Sequence, residues 1–365
     1  MATRSPQEIQ DLFRGIWAEL LAVEVDPDDS FFEIGGDSLL VVEVLRRARK
    51  EGLTIRAADV FAHPTPSGLA DFVVGPGSGP APAGKSAGQS ALPVVTSEQV
   101  WQTYLNPWDA DAPRCIVPII PEGEGTPVFV VHWGAGNVKF VDEVAAEWSA
   151  GRPVYGIEAA GYRGEVRPFL SIGDMAERYV AELLELQPEG PYHFVGLCHG
   201  GVVAVEMAHR LRSLSHEVRS LSLINLDPLQ PYVDHGWGVD EIVAYRLAAL
   251  ESRFNLRTTA DFDRAFAEMR ADKWYDDDVE PSEIMRLQVL WAAHVYALQH
   301  YQPRPYGGRV AVFQPTGYAD PVRSNWLPSL GNAEVHWYDG LGERLLPIMR
   351  HPEVIELIAA EHRRN

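Results

Sequence analysis

The 365-residue chain has little cysteine, little positive charge and no long apolar run. Its 2 cysteines, Cys115 and Cys198, exclude a disulfide framework and a cluster of thiolate metal ligands. Reduced thiols in a cytoplasmic compartment are the expected state. Only 31 Lys and Arg stand against 51 Asp and Glu, a formal charge of -20. That balance argues against nucleic acid and anionic membrane surfaces as partners. No window has the length of a membrane span or the pattern of a signal peptide. The spacing of His and acidic residues suggests no metal site, and no internal repeat is visible. What is present is 46% apolar residues over a length that suits two or three domains.

One segment divides the chain. Val74 to Ala91 reads VGPGSGPAPAGKSAGQSA, nearly all Gly, Pro, Ala and Ser, and cannot bury a core. It predicts a small domain over 1–75, a linker over 76–93 and a larger domain over 94–365. In the small domain Ile9, Leu12, Phe13, Ile16, Trp17 and Leu20 recur at helical spacing. An acidic loop with Asp26, Asp28, Asp29 and Glu33 follows, which suits basic partner surfaces or simply solubility. Asp37 suits a helix N-cap, Arg46, Arg47, Arg49 and Lys50 suit that helix's C-terminus, and Ser67 to Val73 predicts a last helix. The run FFEIGGDSLL, Phe31 to Leu40, puts Ser38 at the helix start, where unpaired N–H groups and the positive end of the dipole favour a phosphodiester. Gly35 and Gly36 leave the backbone open to a partner enzyme.

The larger domain alternates strands and helices. Val128–Val131, Val154–Ile157, Tyr192–Val195, Leu221–Leu226, Val310–Phe313 and Glu334–Trp337 read as strands. Val141–Trp148, Ile172–Leu186 and Val202–Leu214 read as helices. This predicts a mostly parallel sheet covered on both faces. From about 229 to 305 the pattern is helical and irregular, suiting a lid or plain packing. Trp237, Trp274, Tyr275 and Trp291 within it line an aromatic pocket or form the lid's own core. GLCHGG, Gly196 to Gly201, lies between a strand and a helix, where hydrolases of this build carry G-x-S-x-G. Here the centre is Cys198. Cys115, in Arg114-Cys115-Ile116-Val117, reads as strand packing.

Two resemblances follow from these motifs. FFEIGGDSLL, together with DPDDSFFEIGG and VFAHPTPSGLA, resembles the attachment motif of acyl and peptidyl carrier proteins. That implies an all-α four-helix domain with 4′-phosphopantetheine on Ser38. VFVVHWGAG (Val128 to Gly136), GLCHGGVVAVEMAHRLR (Gly196 to Arg212), LINLDP (Leu223 to Pro228) and YQPRPYGGRVAVF (Tyr301 to Phe313) resemble the thioesterase domains that end nonribosomal peptide and polyketide synthases. That implies an α/β-hydrolase fold with a helical lid. By this resemblance the oxyanion is met by the N–H of His199 and by one near Trp133. His132 opens that loop, either holding it by a side-chain hydrogen bond or taking part in catalysis. The sequence departs from the family at the other triad positions. Asn225 falls where the family has aspartate, and Asp227 lies two residues on, serving only if the strand shifts or ends there. The family histidine position holds Gly342 or Glu343, with His336 and His351 out of register.

A serine needs a base, whereas a thiol of pKa about 8.5 ionises more readily, helped by a helix N-terminus or a nearby His⁺. Thioester exchange onto Cys198 therefore tolerates loss of the family histidine better than hydrolysis does, since water must be deprotonated. Three functions stay open. In the first, a carrier thioester on Ser38 passes its acyl, aminoacyl or peptidyl group to Cys198 and on to an acceptor. In the second, the domain is a hydrolytic chain-release enzyme with a rearranged base such as His132 or His199. In the third, Cys198 is a small buried residue of a retired site, and a non-catalytic module shelters the carrier-bound substrate. The partners implied are a phosphopantetheinyl transferase, an adenylating or loading enzyme or synthase modules, and tailoring enzymes. The opening methionine and immediate carrier helix suggest a freestanding two-domain protein.

Overall fold

The computed structural model describes residues 4–21, 23–31, 34–35, 44, 47–48, 51–53, 55, 59–60, 63–74, 114–227, 237–254, 256, 259–340 and 345–363. The predicted linker, Asp37, Ser38, and the run from Leu341 to Arg344 lie outside them. Compactness divides the chain into Met1–Val95 with Val243–Ala267, and Thr96–Ile242 with Glu268–Asn365. Val243, Leu250 and Phe266 are buried, and all three fall in the first unit's share of the chain.

In the first unit, α1 (Pro6–Leu21) buries Ile9, Phe13, Ile16 and Trp17, one stripe at helical spacing. Trp17 packs on Phe31 with ring centroids 4.8 Å apart. Helix α2 (Pro66–Val74) buries Leu69 and Ala70 and packs against α1. Of the acidic loop, Asp28 accepts a hydrogen bond from Ser67 Oγ at 2.7 Å and Asp29 accepts one from Asp26 N at 2.7 Å, so both carboxylates hold the loop's own shape.

The second unit is built on β1 (Ile116–Ile120), β2 (Val128–Val131), β3 (Val154–Ile157), β4 (Tyr192–Leu197), β5 (Val218–Ile224), β6 (Val310–Pro315) and β7 (Ala333–Tyr338). They form one sheet in the order β1-β3-β2-β4-β5-β6-β7. Every pairing is parallel except β1 with β3. Strands β2, β4 and β6 are buried along their whole length, which explains their unbroken apolar runs. Strand β1 begins just after Cys115, where the sequence reads as strand packing, and runs on through Pro118. Proline is tolerated there because β1 is the sheet's edge and Pro118 is exposed.

The helices of this unit are α3 (Asp142–Ser149), α4 (Ile172–Leu186), α5 (His199–Ser213), α8 (Ile284–Gln299), α9 (Ala319–Asn325), α10 (Leu345–Met349) and α11 (Pro352–Arg363). Between α5 and α8 run α6 (Val239–Phe254) and α7 (Thr259–Ala271), which cross the division between units. Alternate strand residues face opposite ways. Val128, Val130, Val195 and Leu197 pack with Trp148 of α3 and Val354 and Ile358 of α11. Phe129 and Phe194 lie on the other side, centroids 6.1 Å apart, and α4 packs against α5. The Ser171 hydroxyl caps α4 by accepting from Asp174 N. Glu182 of α4 accepts the N–H groups of Cys115 at 2.7 Å and Ile116 at 3.2 Å, fixing the start of the edge strand. Among the described residues no helix is long and apolar enough to cross a membrane.

Trp148 is 1% exposed at the centre of the α3–α11 face. Trp148→Ala is expected to lower the unfolding free energy by about 3–5 kcal/mol, read by urea denaturation followed by far-UV circular dichroism. A loss below 1 kcal/mol would contradict a packed face at this position.

Candidate active site

Strand β4 runs into α5 through Cys198, which sits at φ 50° and ψ -116°. A left-handed φ at a non-glycine residue costs on the order of 1–3 kcal/mol and persists only where neighbours impose it. Here they do. Cys198 N–H bonds to Ile224 O at 2.9 Å, continuing the ladder onto β5, and Gly201 N–H bonds to Cys198 O at 2.9 Å, starting the helix. The flanking glycines are a matter of space. A Cβ on Gly196 would lie 2.6 Å from Gly201 Cα, and one on Gly200 would lie 1.9 Å from His132 O. The turn therefore drives the first residues of α5 against the end of β2.

That approach brings two backbone donors onto the Cys198 sulfur, the N–H groups of His199 and Gly134. The sequence pointed near Trp133, and the donor is one residue later. The reason is the peptide that joins them. His132 Nδ1 donates to Trp133 O at 2.8 Å, and in a trans peptide the N–H of Gly134 points the opposite way, toward the thiol. The Trp133 side chain donates from Nε1 to Asn137 Oδ1 at 2.5 Å, so Trp133 serves the loop's shape rather than the sulfur.

Asn225 and Asp227 part company. Strand β5 ends at Ile224, and Asn225 turns the chain at φ 51°, so the two residues do not share a strand face. The backbone beyond is held from three points. Asn225 N–H bonds to Phe313 O at 2.8 Å, Gln314 Nε2 donates to Leu226 O at 3.1 Å, and Trp326 Nε1 donates to Asp227 O at 2.7 Å. This sets the Asp227 carboxylate close enough to act on Cys198.

The expectation of a thiol with lowered pKa is overturned. Burial raises the Cys198 pKa and the Asp227 carboxylate raises it further, outweighing the two N–H groups that lower it. Cys198 keeps partial solvent contact. The anticipated His⁺ is also missing. His132, His199 and His294 are 0%, 1% and 2% exposed. Burial, then the neighbouring His294, pushes His132 down to about 3. Burial pushes His294 down to about 4 and drives His199 well below the usual range. All three are neutral at physiological pH, and among the described residues no imidazole acts on the thiol. His336 stacks on Phe313 at 5.2 Å and lies 3.6 Å from Glu334, while His351 packs on Tyr338 at 4.9 Å. Gly342 and Glu343 lie outside the described residues.

Three residues of the site were missed by sequence reasoning: Gly134, Tyr179 and His294. Tyr179 bonds His132 Nε2 at 3.2 Å while accepting Ala160 N–H at 3.2 Å. His294 Nδ1 donates to Gly134 O at 2.8 Å. The one available signal was a lone histidine inside the apolar run of α8. Of the four lid aromatics, Tyr275 is buried and bonded by Gln288 Nε2 at 2.8 Å, and Trp291 packs beside Gly134, where an added Cβ would lie 3.6 Å from its Nε1. Among the described residues no group of three His, Cys, Asp or Glu is arranged to hold a metal ion.

The comparisons with known proteins meet this geometry. Residues 126–243 match the thioesterase domain family and residues 11–73 match the phosphopantetheine attachment site family. The chain is therefore a phosphopantetheine carrier domain followed by a thioesterase domain of α/β-hydrolase fold. Among its relatives is the atromentin synthetase invA1 of Paxillus involutus, 32% identical over 228 residues, covering 62% of this chain and 21% of that protein. A dimodular nonribosomal peptide synthase of Bacillus subtilis is 26% identical over 350 residues, covering 92% of this chain and 13% of that protein. The chain thus spans about a fifth or less of the length of these relatives. A four-domain nonribosomal peptide synthetase, holo-AB3403 bound to AMP and glycine, shares the fold with a TM-score of 0.54 at 20% identity, over 99% of this chain and 26% of that one. The carrier domain's cofactor is phosphopantetheine. The described turn ahead of its attachment region suits that group, since Gly35 stands at φ 104° with, among the described residues, nothing within 4 Å of an added Cβ.

Two outcomes are expected. Asp227→Asn removes the charge that raises the thiol pKa, so Cys198 alkylation by iodoacetamide at pH 8 rises by about three- to tenfold. An unchanged rate would place the carboxylate away from the sulfur. The second concerns acid. The unfolded chain takes up protons at histidine near pH 6.5, whereas His132 and His294 resist them to about 3 and about 4. Stability is thus fully present above about pH 6.5 and falls below it, by about 1.4 kcal/mol per pH unit for each neutral imidazole. Urea midpoints are expected to drop between pH 7 and pH 5.5; equal midpoints would contradict buried neutral rings.

Proposed function

We propose that this protein moves carrier-tethered acyl, aminoacyl or peptidyl groups in natural-product biosynthesis, with Ser38 bearing phosphopantetheine and Cys198 as the acyl acceptor of the thioesterase domain. The observation that carries the reading is the strained Cys198 turn with two N–H groups converging on its sulfur. A retired site has no reason to retain the cost of that φ or a loop aimed at the thiol.

When bound, phosphopantetheine supplies a terminal thiol that holds the acyl group as a thioester. The Cys198 thiol is protonated, so its attack needs a proton acceptor, and Asp227 is the carboxylate that acts on it. Sγ forms a bond to the acyl carbon while Asp227 takes the thiol proton. The N–H groups of His199 and Gly134 meet the oxygen as it gains charge. When the donor's C–S bond breaks, Asp227 returns the proton to the departing sulfur, and charge balances across the exchange. The reverse sequence passes the acyl group to an incoming thiol or amine. Water is a poorer acceptor here, because it must lose a proton and, among the described residues, no imidazole is among the groups that act on the sulfur. This favours transfer over hydrolysis. A phosphopantetheinyl transferase, a loading enzyme or synthase modules, and in some routes a tailoring enzyme would be the partners.

Intact-protein mass spectrometry tests the reading, with an acyl-pantetheine thioester as donor. The Ser38→Ala protein is expected to gain one acyl mass and Ser38→Ala/Cys198→Ala none. An adduct that survives loss of Cys198, or no adduct from any of a panel of aminoacyl, fatty-acyl and peptidyl donors, would overturn it in favour of a module that only presents the loaded carrier.

A further inference from the structure

His132, His199 and His294 form a triangle of near-parallel rings. His199 and His294 lie 4.4 Å apart at 18°, His132 and His294 5.0 Å at 22°, and His132 and His199 5.7 Å at 26°. Each comes from a different element: His132 from the loop after β2, His199 from the first turn of α5, His294 from the middle of α8. The triangle therefore ties a helix of the lid segment to His199, which presents an N–H to the Cys198 sulfur, and to His132, two residues before the other donor, Gly134.

The hydrogen bonds have one direction only. Carbonyl oxygens accept, so His132 Nδ1 and His294 Nδ1 both carry protons, and His132 Nε2 accepts from Tyr179. A continuous chain results: Ala160 N–H to Tyr179 Oη, Tyr179 O–H to His132 Nε2, His132 Nδ1–H to Trp133 O, and across that peptide Gly134 N–H to the thiol. His294 holds the next peptide by Gly134 O, so Gly134 is gripped on both sides. Leu290 and Trp291 of α8 close on the same loop; an added Cβ at Gly136 would meet Leu290 Cδ2 at 2.6 Å. His199 sharpens the point. Neither of its ring nitrogens has a hydrogen-bond partner among the described residues. Burying an unpaired N–H costs about 1–3 kcal/mol, which an apolar ring packed in the same place would avoid.

We propose that His294 is a positioning residue: by donating to Gly134 O and packing against both His132 and His199, it fixes the two N–H groups that face Cys198 and so lets the lid helix set the reactivity of that thiol. The proposal rests on Cys198 being the reacting atom. The neutral state of all three rings supports it, because a stack of imidazolium ions would repel itself.

The test is the pH profile of Cys198 alkylation by iodoacetamide in the full chain, read by peptide mass, with buried Cys115 as internal control. His294→Phe keeps a ring and loses the donor. His294→Asn keeps a donor where Nδ1 lies and loses the ring. The expected result is an alkylation rate about three- to tenfold lower at pH 8 for His294→Phe, with the profile displaced to higher pH, and a rate within about twofold of wild type for His294→Asn. A wild-type profile for His294→Phe overturns the proposal, as does an equal loss in both variants, which would mean packing alone. If far-UV circular dichroism shows that His294→Phe does not fold, His294→Gln replaces it: its donor sits one atom too far out, a lowered rate supports the proposal, and a wild-type rate overturns it. Alkylation requires no acyl transfer. A His294 effect without any acyl adduct would defeat the transfer function and leave this inference standing; an acyl adduct without a His294 effect would do the reverse.

Discussion

Everything at the site depends on how closely α5 approaches the end of β2. Gly200 has no room for even one carbon beyond its backbone, because His132 O occupies that place. Gly196 is closed in the same way by Gly201. Only with these contacts can the chain leave β4, bend through a left-handed Cys198 and enter a helix within one residue. The same approach brings the N–H of His199 and the N–H of Gly134 to one sulfur. A side chain at either glycine would push the helix outward and separate the two donors, so the packing of bare backbone on bare backbone defines the site before any polar group acts.

The electrostatics then follow from dryness. Burial dominates the protonation of the thiol and of all three neighbouring imidazoles, and it leaves every one of them uncharged. Asp227 is the charged group acting on the thiol, and its sign favours S–H over S⁻. A site of this kind differs from a cysteine–histidine ion pair, in which the nucleophile is already ionised before substrate arrives. Here the two N–H groups are fixed dipoles aimed where negative charge would develop, which helps a transition state more than it helps the resting thiol.

Much of this was legible in the sequence, and the reasons are specific. The buried strands β2, β4 and β6 announce themselves as apolar runs because both of their faces are covered. The turn at Cys198 is legible from glycine spacing, since close backbone approach admits no other residue at Gly196 and Gly200. Two things were not legible. The end of β5 depends on a left-handed Asn225 rather than on composition, and that single dihedral decides whether Asp227 can reach the thiol. His294 is separated from Gly134 by 160 positions, and a lone histidine in an apolar helix carries no sign of which carbonyl it will meet. Likewise the shift of the second donor from Trp133 to Gly134 follows from the direction of one hydrogen bond, which residue types do not encode.

The protonated state of Cys198 has a consequence for the durability of the protein. Peroxide attacks thiolates, and oxidation to sulfenic and then irreversible sulfinic acid tracks thiolate content and exposure. A partly exposed cysteine with an ordinary or lowered pKa would be open to that damage, and Cys115, at 4% exposure, is too buried to rescue it as a disulfide partner. By keeping the sulfur as a thiol, its burial and the Asp227 carboxylate keep it slow toward oxidants as well.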